Sequence, residues 1–149
     1  MMMSNVTTNQ TQLLSPNDDG LVFINHITYA LYFLSYFTAG LTWLVAIIIN
    51  YVKRSEAQGS WLQSHFDWQI HTFWYSIVFA VVATFLLILG LPTGFAAVFS
   101  DDAVTGFSLF SLSGILVFAG VLLWIFVIFW HLYRIVRGWL ALASRKSVP

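Results

Sequence analysis

Cysteine is absent from the 149 residues. No disulfide, thiolate nucleophile, cysteine-held metal or lipidated cysteine is therefore possible. Charge is almost as scarce: six Lys and Arg and six Asp and Glu, 8% of the chain, where a soluble domain carries about 25%. No concentrated basic face exists to hold a nucleic acid. The motifs of common catalytic sites are missing too, with no Gly-x-Ser-x-Gly, HExxH, Walker-type or dinucleotide pattern. No charged residue completes a nucleophile, base and orienting group, so the chain reads as a non-enzymatic protein.

What is present is apolar. Hydrophobic residues make up 59% of the chain, and three long runs imply that the bilayer is its solvent. The expected fold is an all-α integral membrane protein with three transmembrane helices. The first runs over Ile24–Val52, longer than the ~20 residues a span needs. Ala39-Gly40 is its natural bend, and Tyr29, Tyr32 and Tyr36 suit the outer interface. The second has an amphipathic interfacial start, because Trp61, His65 and Trp68 share one helical face. Its apolar part is Phe73–Leu91, closed by Gly90-Leu91-Pro92. An outer loop follows to about Ser108, and the third helix runs from about Leu109 to Leu140.

The basic residues orient this arrangement. Lys53 and Arg54 follow the first run, and Arg134, Arg137, Arg145 and Lys146 end the third. Asp18, Asp19, Asp101 and Asp102 lie in the other two polar pieces. Lys and Arg are retained on the cytoplasmic side. The expectation is therefore a multi-pass protein of a bacterial inner membrane, amino terminus periplasmic and carboxyl terminus cytoplasmic. Residues 1–20 read as a disordered polar tail, residues 21–140 as the membrane domain and residues 141–149 as a basic cytoplasmic tail. Asn5-Val6-Thr7 and Asn9-Gln10-Thr11 match a glycosylation pattern that an Asn/Thr-rich tail produces by chance.

Two sets of residues are candidates for function. Thr72, Ser76, Ala80 and Thr84 form a row of small residues at four-residue spacing, the kind that lets membrane helices approach closely. It serves either packing within the chain or an oligomer seam. At the cytoplasmic end, His65, Asp67, Trp68, Gln69, Arg134 and Arg137 form an interfacial polar group for a partner or for anionic lipid headgroups. Asp67 stands four residues before His71, in reach of an ion pair. His71 and His131 are expected at similar depth. They are most simply packed or solvated interfacial groups. As a pair they are also the candidate ligands of a haem or a metal in a redox subunit, or a proton relay in a transport path.

The segments Tyr51-Val52-Lys53-Arg54, Gly59 through Phe66, Trp68 through Trp74 and Tyr133 through Trp139 resemble a widespread family of small bacterial membrane proteins of unknown function. That family is grouped distantly with the twenty-kilodalton subunit of the chloroplast inner-envelope import channel and with the magnetosome membrane protein MamF. The resemblance spans Tyr29 to Leu140. It implies a basic residue at position 71 and often at 67, where this chain has His71 and Asp67. A position that accepts arginine is a poor haem ligand. The relatives imply translocation or the organisation of an assembly, without transferable residue roles. The expected function is that of an accessory subunit or scaffold, packing against itself or a larger membrane complex. The alternatives are the redox subunit and an oligomeric transport or translocation component.

Overall fold

A computed structural model describes residues 16–149. Among them all regular structure is helical: α1 (Pro16–Leu34), α2 (Leu41–Lys53), a 3-10 turn (Arg54–Ala57), α3 (Leu62–Val98) and α4 (Ala103–Ala143). The glycosylation motifs and most of the polar tail lie outside the described residues. Helices α3 and α4 are long and apolar enough to cross a membrane. Their 37 and 41 residues amount to roughly 55–60 Å of helix, against about 30 Å of hydrocarbon.

The single helix expected over Ile24–Val52 is instead two. The break falls at the anticipated bend but is a full reversal. Ala39 and Gly40 take left-handed backbone angles, φ 50 and 85, of which only glycine adopts the second freely. Serine and threonine hydroxyls take up carbonyls around the break: Ser35 Oγ donates to Tyr32 O (2.6 Å) and Thr42 Oγ1 to Leu31 O (2.9 Å). The Tyr32 and Trp43 rings then meet edge to face at 6.4 Å. Asn25 and Asn50, equally far from the turn on either side, reach one common partner, Gln69. That register is an antiparallel helical hairpin. Hydropathy does not reveal the reversal, because the turn itself is built from small and apolar residues.

The second correction concerns the expected outer loop. Helix α3 does not stop at Gly90-Leu91-Pro92 but continues to Val98, and α4 starts at Ala103. Proline removes a helix hydrogen bond, and in an apolar medium nearby hydroxyls can satisfy the disturbed backbone. Thr93 Oγ1 donates to Leu89 O (2.7 Å) and Ser113 Oγ to Gly90 O (2.8 Å), the two carbonyls that follow the Ile88 carbonyl facing Pro92 in the helix. Asp102 starts α4 by accepting from the Thr105 N–H at 2.7 Å. Bonding to the Thr105 side chain and then to its N–H holds the Asp102 carboxyl below its ordinary pKa.

The chain divides into two compact units, one formed by the described residues up to Phe73 with Tyr133–Pro149, the other by Trp74–Leu132. The first contains the α1–α2 hairpin and is polar inside. Asn25, Thr28, Asn50, His65, Gln69 and Thr72 are all buried, while Phe23, Phe37 and Leu41 are 65%, 75% and 68% exposed. Tyr29 and Tyr32, expected at an outer interface, are buried in this polar interior at 1% exposure each.

The second unit is a pair of antiparallel helical segments. Its buried small residues are Ser76, Ala83 and Gly90 on α3 and Ser113 and Gly120 on α4, with Val127 continuing the α4 series. Seven-residue spacing keeps a seam facing its partner along the helices. A side chain at Gly90 would meet Val117 Cγ2 at 2.8 Å, and one at Gly120 would meet Leu87 at 3.0 Å and Ala83 O at 3.1 Å. The close approach that small residues permit is thus used here.

Candidate functional site

In the first unit the polar side chains form three linked groups. The innermost is a chain of amides. Gln69 Nε2 donates to Asn25 Oδ1 and Asn50 Nδ2 donates to Gln69 Oε1, both at 3.1 Å. Asn25 Nδ2 returns to Leu21 O at 3.1 Å, and Tyr32 Oη donates to Gln69 O at 2.9 Å. One residue of α3 therefore ties both arms of the hairpin. Asn50 Oδ1 has no hydrogen-bond partner among the described residues.

A second group surrounds His65. Its Nδ1 lies 3.0 Å from Tyr29 Oη, and its Nε2 lies 2.8 Å from Lys146 O. The Val148 N–H donates to Ser64 Oγ at 3.1 Å. These bonds fasten the last residues of the chain onto the first turns of α3. Trp139 Nε1 donates to His26 Nδ1 (2.9 Å), and Arg145 pairs with Asp19 at 3.3 Å. The start of α1 thus lies beside the chain's last basic residues.

The third group is centred on Trp68. The Arg134 guanidinium stands 3.5 Å from the indole centroid, a cation–π contact. It is pinned there by Nε to Thr72 Oγ1 (2.6 Å) and Nη2 to Trp68 O (3.2 Å). Trp68 Nε1 donates to Arg134 O at 3.0 Å. Arg137 lies 5.7 Å from the same ring and donates to Tyr133 Oη at 2.9 Å.

The structure thus brings Trp68, Arg134 and Arg137 into one cluster with Thr72, and puts His65 and Gln69 into neighbouring networks of the same unit. Asp67 is in an ion pair with Arg54 at 2.5 Å. His71 is an exposed residue of the first unit. His131 is buried in the second, with Nδ1 2.9 Å from Ser76 Oγ. No group of three or more residues suited to a metal occurs among the described residues.

The small-residue row divides by role. Thr72 and Ser76 are each 2% exposed and bonded to Arg134 and His131. Ala80 and Thr84 instead line an open apolar groove with Val81, Ile88 and Trp124. Sequence reasoning missed Asn25, Asn50 and the inward roles of Tyr29 and Tyr32. A usable signal existed: two amides within apolar runs, each ten residues from the Ser35–Gly40 turn. The heptad of small residues was also readable, but is less conspicuous than a four-residue row.

No family model, curated protein or solved structure matches this chain.

Proposed function

We propose that the chain is a small non-enzymatic inner-membrane protein that serves as an accessory subunit or scaffold of a membrane assembly. The observation that carries this reading is the division of the small-residue row. Thr72 and Ser76 are used inside the chain, whereas Ala80 and Thr84 remain in an open apolar groove. Small residues facing out of a membrane helix are where another helix can approach closely. The occupant is a second copy or a helix of a larger membrane protein.

In this reading α3 and α4 span the membrane, and the α1–α2 hairpin is the third apolar element. The polar interior and apolar exterior of the first unit support that placement, since polar side chains in a bilayer turn toward the protein interior. The reversal at Ala39-Gly40 and the Asp19–Arg145 pair favour both ends of the chain on one side. The positive-inside rule makes that side cytoplasmic, in place of the periplasmic amino terminus expected from one continuous crossing.

Isolation in a mild non-ionic detergent, followed by native electrophoresis and mass spectrometry, tests the assembly. The tagged wild type is expected as a discrete oligomer or with a stoichiometric membrane partner. Ala80→Leu is expected to insert normally and migrate as the smaller species. Recovery of the wild type as a lone monomer, or unchanged migration of Ala80→Leu, contradicts the reading.

A further inference from the structure

Beyond assembly, we propose that Arg137, together with Arg134 and Trp68, forms a binding site for the phosphate group of an anionic molecule. The site starts from a crowding of like charge. Two guanidinium groups, three residues apart on α4, approach one indole at 3.5 and 5.7 Å. Like charges at this helical spacing oppose each other. Arg134 cannot swing away without releasing Thr72 and the Trp68 carbonyl.

Three of the other five cations are matched with acids. Lys53 holds Glu56 at 2.7 Å, Arg54 holds Asp67, and Arg145 holds Asp19. Arg137 has no carboxylate within 4.0 Å among the described residues, and its side-chain hydrogen bond goes to the Tyr133 hydroxyl. Its exposed guanidinium keeps donors for an incoming anion. A guanidinium fork matches two phosphate oxygens at once. The indole fixes the neighbouring cation, and tryptophan is at home at headgroup depth. Basic pockets beside membrane helices bind anionic headgroups by this chemistry. The phosphate belongs either to a phospholipid or to a soluble phosphate compound.

The site rests on the membrane placement proposed above and not on assembly. Native mass spectrometry of the full chain, released from a mild detergent, tests it with phosphatidylglycerol and phosphatidylcholine as probes. Membrane-fraction recovery and circular dichroism accompany each variant. The wild type is expected to retain phosphatidylglycerol at a concentration at least fivefold below that needed for phosphatidylcholine. Arg137→Gln is expected to abolish that preference with insertion and helicity unchanged. Arg137→Lys, which keeps the charge and loses the fork, is expected to fall between them.

Competition by millimolar inorganic phosphate assigns the site to a soluble phosphate compound, and its absence assigns it to the lipid. Equal retention of the two lipids by the wild type overturns the proposal. So does an unchanged preference in Arg137→Gln. Failure of all variants and the wild type to reach the membrane fraction would count against the membrane placement instead.

Discussion

The two units solve the same problem, holding apolar helices together, by opposite means. In Trp74–Leu132 the helices approach closely because Gly90, Gly120 and Ala83 leave nothing between them, and Phe79 packs edge-on against Phe126 and Trp130 at 5.9 Å each. In the first unit the helices are joined by polar groups, with Gln69 bridging Asn25 and Asn50 and Trp68 bracketed by Arg134. Burial of apolar side chains gives little drive when the solvent is itself hydrocarbon. Shape then serves one unit and hydrogen bonding the other. Added volume is expected to disturb Trp74–Leu132 most, and lost polarity the first unit.

Substitutions that exchange volume for polarity separate the two. The largest effect is expected from Gly120→Leu, whose side chain must enter space held by Leu87 and the Ala83 carbonyl. Overpacking costs about 1–3 kcal/mol, occasionally more, and a thermal unfolding scan in detergent should show a clear loss of stability. Gln69→Leu keeps volume but strands Asn25 Oδ1 and Asn50 Nδ2. A buried group left without its partner costs roughly 1–3 kcal/mol. The same scan should show Gln69→Leu worse than Asn50→Leu, because Asn50 carries an oxygen already without a partner. Equal losses for the two would break the claim that Gln69 is the tie.

A smaller effect is expected within the second unit. Ser76→Ala removes the bond to His131 and should cost about 0.6 kcal/mol, the average for such bonds between membrane helices. Chemical denaturation in mixed micelles measures it. The smallest concerns Asp102. Its folded-state pKa is depressed through its bonds to Thr105. Its contribution is therefore present above the unfolded carboxylate pKa and lost as pH falls through the folded value. Asp102→Asn should remove that acid dependence and leave neutral-pH stability nearly unchanged. A thermal scan across acidic pH checks it.

How much of this was legible beforehand differs between the units in the same way. The apolar runs behind α3 and α4 are plain in the sequence, since length and hydropathy alone mark a helix able to span. Their ends were misplaced because Pro92 reads as a terminator, whereas the helix carries it internally and continues to Val98. The hairpin was hidden because Ala39 takes a left-handed angle that residue type does not advertise. Trp68, Gln69, Arg134 and Arg137 could be picked out as polar groups near an interface. That Gln69 turns toward two asparagines, and Arg134 onto an indole, depends on contacts spanning 19 to 66 residues of chain. Local periodicity carries no trace of them.

The proposed topology turns on the reversal of the hairpin and the side on which it begins. The chain has no cysteine, so Asp18→Cys, Ser100→Cys and Ser144→Cys each give a single reporter. The measurement is labelling by a membrane-impermeant maleimide in intact spheroplasts and again after lysis. Ser100→Cys is expected to label in intact spheroplasts, and Asp18→Cys and Ser144→Cys only after lysis. Labelling of Asp18→Cys in intact spheroplasts, with Ser144→Cys protected, would contradict that topology and restore a single crossing over Ile24–Val52.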